Sequence, residues 1–409
     1  MESTLQKAKC IAAPSLLILV LMVSVGPFGD TEYTPSLPRI ASELAVHYNM
    51  VQLTMTSYLF GYALSQLFYG PLSDRFGRKP VMMFGAAIFV IGSIICFTSF
   101  SIWQLIAGRF VQAIGACAGG VISSAAVRDA YPEKERGPVF AKINAAFSMA
   151  PAIGPIVGSF IDHIYGWHAN FLVLLVLSAI LFILVWLLFP ETNVHRNLLA
   201  IKPKQLMENY IILFKDPYYL FYVIIMGMSI GIVYSSLIGA PDYVIDILHL
   251  SSIAIVIVAL GVLFGFMVGS IICSIISTKL MPNHLIFIGL CIMVLGSIAL
   301  ALISTVGLMQ MFLYAGLIPI IVIFSGVAFV IPIASAEALK PFENVTGSAS
   351  AMMGFFQMGI ASLSTGIMSS FHANSLFTMP FMFTLLSTLA MLVFLLFIAA
   401  RSNRLRRSI

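Results

Sequence analysis

Charge is what this sequence has least of. Only 9% of its 409 residues are Asp, Glu, Lys or Arg while 60% are apolar, and mean hydropathy is +1.04. So little polar surface could not cover that much core in water, which excludes an ordinary soluble fold. Paired cysteines are also missing. Cys10, Cys96, Cys117, Cys273 and Cys291 stand in or beside apolar blocks with no repeated spacing, so no disulfide framework and no zinc or other metal site is expected. There is no glycine-rich phosphate loop ending in Gly-Lys-Ser/Thr and no polar segment large enough for an ATPase domain. Hydrolase and kinase patterns are absent too, so an enzyme is not expected. No cofactor is expected, and uphill work would have to draw on an ion gradient. The net charge of +5 would suggest nucleic acid as a partner for a soluble chain. Here nucleic acid is not expected, because the bases mark topology.

What is present is a series of apolar blocks of roughly 18 to 25 residues, the length at which a helix crosses about 30 Å of hydrocarbon. They predict an all-α polytopic membrane protein with spans near 12–34, 49–70, 81–99, 102–126, 139–161, 168–190, 218–240, 252–276, 283–303, 308–333, 345–368 and 376–400. The first block lacks a small-x-small cleavage site and reads as a span, not a signal. The polar stretch 191–217 divides the chain into two six-helix bundles, residues 1–190 and 218–409. With both termini cytoplasmic, nineteen of the 21 Lys and Arg fall on inner segments, Arg39 lies outside and Arg109 falls within a span. That bias fixes the expected orientation. The basic tail Arg401 to Arg407 is an expected anchor on anionic lipid.

Ionisable groups inside spans are costly there and are the first functional candidates. Asp30 and Glu32 stand near the outer part of the first span, and Arg109 lies about eight residues into the fourth. A carboxylate in a lipid-screened cavity can take up and release a proton near neutral pH as its exposure or a neighbouring cation changes. Competition between a proton and Arg109 for one of the two acids would make a switch. Gln112, one turn beyond Arg109, extends the same polar face. Tyr58, Tyr62, Asn144, Met149, Tyr234 and Gln357 are further candidates to line a substrate cavity. Asp162, Asp242 and Asp246 read as markers of external helix ends. The eleven residues Gly70-Pro-Leu-Ser-Asp74-Arg75-Phe-Gly77-Arg78-Lys79-Pro80 hold four charges between two apolar blocks. Gly70 and Gly77 allow a tight turn, and Asp74 is placed to pair with a base or cap a helix end.

This loop resembles the motif between spans two and three of the major facilitator superfamily. Within it the chain is similar to the twelve-span drug:proton antiporters of the Bcr/CflA type. Leu105-x-x-x-Arg109-x-x-Gln112-x-x-Gly115 resembles the family's span-four motif, whose arginine is implicated in proton coupling. Pro151-x-x-Gly154-Pro155-x-x-Gly158 resembles the span-five signature of antiporters. The resemblance implies that Gly70, Asp74, Arg75, Gly77 and Arg78 belong to a conformational latch of ionic contacts with neighbouring helix ends, and Arg128-Asp129, a family landmark after span four, is assigned to it. Relatives usually carry an aspartate four residues before the first proline that closes span one. Here Thr31 takes that place, bracketed by Asp30 and Glu32.

The resemblance further implies two bundles of three-plus-three inverted repeats that rock about a central cavity. The expected activity is proton-coupled export of amphiphilic organic compounds or drugs from the cytoplasm. A dedicated exporter of an endogenous metabolite, such as a siderophore or amino-acid derivative, and a proton-coupled importer remain open. The expected partners are a small organic substrate, protons and membrane lipid, with the chain acting as a monomer in a bacterial inner membrane.

Overall fold

The computed structural model describes residues 13–194, 196, 203–241, 244, 252–277, 279–305, 316–371 and 378–407. Lys7, Lys9, Cys10, Lys202, Asp242 and Asp246 lie outside the described residues, as does the beginning of the spans expected from 308 and 376. All described regular structure is helical. In chain order come α1 (Leu16–Thr31), α2 (Leu37–Glu43), α3 (Tyr48–Phe76), α4 (Arg78–Phe97), α5 (Ile102–Ala130), α6 (Glu133–Tyr165) and α7 (Trp167–Leu188). Then follow α8 (Pro203–Lys215), α9 (Pro217–Pro241), α10 (Ser252–Ser277), α11 (Pro282–Thr305), α12 (Leu317–Leu339), α13 (Thr346–Ser370) and α14 (Thr378–Arg407).

Local chemistry sets several of these boundaries. Ser15 and Ser101 cap α1 and α5, accepting from the N–H of Ile18 and Gln104 at 3.4 and 3.2 Å. At the far end of α1, the Pro35 that follows has no N–H with which to continue the helix, and the Thr34 hydroxyl donates to the Thr31 carbonyl at 2.7 Å. The chain turns through a short 3-10 segment, Thr34–Ser36, into α2.

Eleven helices among the described residues are long and apolar enough to cross a membrane. Twelve were expected, and the difference is α3. It has 29 residues but carries Asn49, Gln52, Thr54, Thr56, Ser57, Ser65 and Gln66. Its neighbours are α5 and α13, and Gln52, Thr54 and Ser65 are buried against protein. A helix covered in this way has no need of an apolar perimeter. By contrast α7 exposes Leu172, Val176, Ile180, Ile183 and Leu187 at helical spacing, a stripe made for lipid.

Helices α1 to α7 pack around one apolar core and α9 to α14 around a second. The first core reaches across to Tyr234 and Ile238 of α9 and to Met358 and Ala361 of α13. At the end where α1 stops and α3 begins, hydrogen bonds seal the two groups together. Tyr48 donates to the Ile238 carbonyl at 3.0 Å and Asn49 to the Phe371 carbonyl at 2.6 Å. Two turns deeper along α3, the Thr56 and Thr365 hydroxyls meet at 2.9 Å.

Candidate functional site

Arg109 is fully buried at the centre of the first group. It lies on α5, which packs against α1, α3 and α4. Its Nη1 donates to the carbonyl of Gly29 at 2.8 Å and to Oε1 of Gln112 at 2.6 Å, and Nη2 lies 3.5 Å from the carbonyl of Asp30. Those two carbonyls belong to the last turn of α1, the negative end of a helix dipole. The guanidinium is also sandwiched between the rings of Tyr33 and Tyr58, 4.3 and 4.1 Å from their centroids. Gln112 is fixed in turn by donating to Ser93 at 2.8 Å. The positive charge is therefore held by carbonyl dipoles and aromatic faces instead of a carboxylate.

Both acids of α1's end are buried, and they point to different neighbours. Asp30 faces the second group, and its Oδ2 accepts from the Tyr234 hydroxyl of α9 at 2.8 Å, across the seam. Its Oδ1 has no hydrogen-bond partner among the described residues. Glu32 turns toward α6, and neither of its carboxyl oxygens has a partner among the described residues. The expected contest for Arg109 is not built as an ion pair: the arginine binds the backbone oxygen of Asp30, and no carboxylate of α1 bridges to it.

The Pro151, Gly154, Pro155, Gly158 signature lies inside α6 and faces α1. A methyl group at Gly154 would strike the Thr31 hydroxyl, and one at Gly158 would strike the Glu32 carbonyl. These positions let the backbone of α6 lie directly on the segment that carries the acids. The surface this face meets is not encoded in the spacing of the motif.

The charged motif at residues 70–80 is mostly helix. α3 runs through Gly70 to Phe76, and Gly70 faces open space, so the turn expected there rests on Gly77 alone, at φ +106°. Arg78 donates to Asp74 and Ser73, both at 2.6 Å, and to Asp129 at the end of α5 at 2.8 Å. Glu191, just after α7, accepts from the backbone N–H of Arg78 at 2.9 Å and of Lys79 at 3.3 Å, a carboxylate capping the start of α4. Asn193 donates to the carbonyls of Ser73 and Asp74 at 3.1 and 2.9 Å. Arg75 and Arg128 are also assigned to this network; among the described residues neither side chain hydrogen-bonds in it, but the Arg128 charge lies within range of Arg78, Asp129 and Asp74. Both are exposed, with Arg75 over the ring of Phe76 at 5.3 Å. The network ties α3, α4, α5 and the chain after α7 together, all within the first group.

The seven cavity candidates divide. Tyr58, Tyr62, Gln112 and Tyr234 are buried, and the first, third and fourth converge on Arg109 and Asp30. Gln357 is half-buried on α13 and donates toward the Met226 sulfur at 2.9 Å. Met149 is 59% exposed and shares an apolar stripe with Ile153, Ile156 and Phe160 on α6. Asn144 is exposed as well. A crevice of about 490 Å3 opens instead between α3, α5 and α13, lined by residues that include Thr56, Phe60, Trp103 and Ser362 and by none of the seven. Tyr33, Ser93, Glu191 and Asn193 were missed as site residues. Only Glu191 carried a signal, as a charge directly after an apolar block.

Two groups of membrane-crossing helices with a cation and two acids buried at and beside their junction are the construction of a membrane transporter, not of an enzyme. The chain belongs to the Major Facilitator Superfamily, whose family model matches residues 16–365. It is 29% identical over 379 residues to multidrug resistance protein D of Escherichia coli strain K12, covering 88% of each chain. It is 28% identical over 387 residues to a bicyclomycin resistance protein homolog of Haemophilus influenzae, covering 90% of this chain and 92% of that one. Among solved structures, a D-xylose-proton symporter superposes with a TM-score of 0.70 at 17% identity, over 92% of this chain and 96% of the other. The relatives are bacterial, and the chain is a multi-pass protein of the bacterial inner membrane.

Proposed function

We propose that this transporter exports small amphiphilic organic compounds, including drugs, in exchange for protons. The observation that carries the reading is Asp30: a buried carboxylate beside a buried arginine, whose side-chain hydrogen bond among the described residues reaches a helix of the other group. A group so placed can couple its protonation to the relative position of the two halves. The names of the relatives, multidrug resistance protein D and bicyclomycin resistance protein homolog, favour drugs over sugars as cargo.

In this reading α3 is the twelfth span, both termini are cytoplasmic, and the sealed end faces outward. The charge network around Arg78 then lies on the inner face, where the excess of Lys and Arg also falls. A proton taken up from outside neutralises Asp30, and its release to the cytoplasm restores the acid that holds Tyr234. Cargo binds from inside when the outer seal is closed and leaves when the seam opens outward. One chain supplies both halves, so a monomer suffices.

A susceptibility screen in an efflux-deficient bacterial host tests the assignment. Expression should raise resistance to several unrelated amphiphilic compounds, and an uncoupler should remove the cargo gradient. Resistance to a single metabolite-like compound would select a dedicated exporter. Unchanged resistance with net uptake of a nutrient would overturn export.

A further inference from the structure

Prolines inside the described helices are Pro27 in α1, Pro71 in α3, Pro138, Pro151 and Pro155 in α6, and Pro332 in α12. Each lacks the N–H that would bond the carbonyl four residues earlier, so each releases one backbone acceptor. Among the described residues, one of these carbonyls receives a side-chain hydrogen bond from another helix. It is that of Leu67, released by Pro71, and the Tyr210 hydroxyl of α8 donates to it at 2.8 Å.

Helix α8 lies in the connection between the two groups but packs with the second. Leu213 is fully buried in the second core, and the Phe214 ring stacks on Phe356 of α13 with centroids 6.3 Å apart. At the same level α13 itself touches α3, where Gln66 covers Gly354. Tyr210 is therefore a side chain of the second group holding a backbone atom of the first, at a site created by the proline of the charged motif.

We propose that Tyr210 and the carbonyl of Leu67 form a detent that holds the two groups in the relative position seen here, with the seam at Tyr48 and Asn49 closed. Around Leu67, the other carbonyls of α3 are engaged by the helix's own N–H groups and could take the phenol only as a second donor, as the Thr56 carbonyl takes Ser362 at 3.0 Å, so the Leu67 carbonyl is the acceptor left wholly to Tyr210. Hydrogen bonds weaken within a few tenths of an ångström of their preferred length. Sliding α13 and α8 along α3 breaks this bond and offers the phenol only carbonyls already bonded within the helix. Pro71 thus does more than shape the motif: it fixes the register at which the linker docks. The inference rests on the alternating movement of the halves, but not on the identity of cargo or coupling ion.

The test follows access to the sealed end without substrate. Gln52 is buried one turn below Tyr48, on the face of α3 that reaches α9. In a Gln52→Cys variant with the native cysteines replaced by alanine, labelling by a membrane-impermeant maleimide in proteoliposomes reports opening of that end. Tyr210→Phe should raise the labelling rate about 3- to 10-fold, the equilibrium effect of losing one hydrogen bond. Pro71→Ala should act in the same direction but less strongly, because the restored N–H shares the Leu67 carbonyl with the phenol. Combined with Pro71→Ala, Tyr210→Phe should raise the rate by a smaller multiple than in the native background, since the bond is already weakened. An unchanged rate in Tyr210→Phe, or the same multiple in both backgrounds, overturns the detent. Asn49→Ala, which removes a bond of the seam itself, separates the two ideas. If it accelerates labelling while Tyr210→Phe does not, only the detent fails. If neither variant changes the rate, the alternating movement fails with it.

Discussion

Arg109 carries its charge in a lipid-enclosed core because several weak partners replace one strong one. Two carbonyls at the end of α1, the amide of Gln112 and the flat faces of Tyr33 and Tyr58 all require the planar fork of a guanidinium. Arg109→Lys keeps the charge but cannot lie flat between the rings and bond both neighbours. Turnover should fall about 10-fold or more, in line with a cation–π contribution near 2 kcal/mol when desolvated. Membrane abundance should change little, and transport assays with immunoblotting distinguish the two effects. Arg109, Asp30 and Gln112 were legible in the sequence because a charge or amide in an apolar block is conspicuous. Their partners were not. Nothing about Tyr33 or Ser93 marks them among other tyrosines and serines, and the pairing of Asp30 with Tyr234 joins residues 204 positions apart.

Helix α6 is a close-packing element, with Pro and Gly recurring in it at one-turn spacing. Its orientation toward Thr31 and Glu32 depends on tertiary packing that spacing does not encode. The consequence is a sharp contrast between two glycines. Gly158→Ala drives a methyl group into the Glu32 carbonyl and should cost roughly 1–3 kcal/mol, read as a lower Tm in detergent. Gly70→Ala, in open space within α3, should leave Tm unchanged or raise it by gaining up to about 1 kcal/mol of helix propensity. A similar contrast holds for the basic residues of the charged motif. Arg78→Gln removes three hydrogen bonds and should slow turnover several-fold with KM nearly constant, whereas Arg75→Gln, outside the network, should leave both unchanged. Initial-rate transport measurements over a range of substrate concentrations check both. The motif's sequence announced an ionic cluster, but not that Glu191 and Asn193 complete it from more than a hundred residues away.

At the scale of the whole molecule, blocks of apolar sequence were enough to give an all-helical membrane protein and to locate the helices. The apolar blocks place α3 near 49–70, but that its polar residues are covered by α5 and α13 is hidden, because burial by protein is invisible to a sequence average. The seam of hydrogen bonds between the groups was equally hidden, since Tyr48, Asn49 and Thr56 meet partners from the other half of the chain. That seam gives Asp30 its place, and coupling of proton movement to cargo movement through Asp30 is the central claim. It is tested by loading proteoliposomes with a cargo identified by resistance and diluting them into cargo-free medium while recording lumenal pH. With the native protein, outward flow of cargo should draw protons inward and acidify the lumen. With Asp30→Asn the acidification should vanish while cargo binding persists, and with Glu32→Gln it should remain. Acidification by Asp30→Asn equal to that of the native protein would contradict the account.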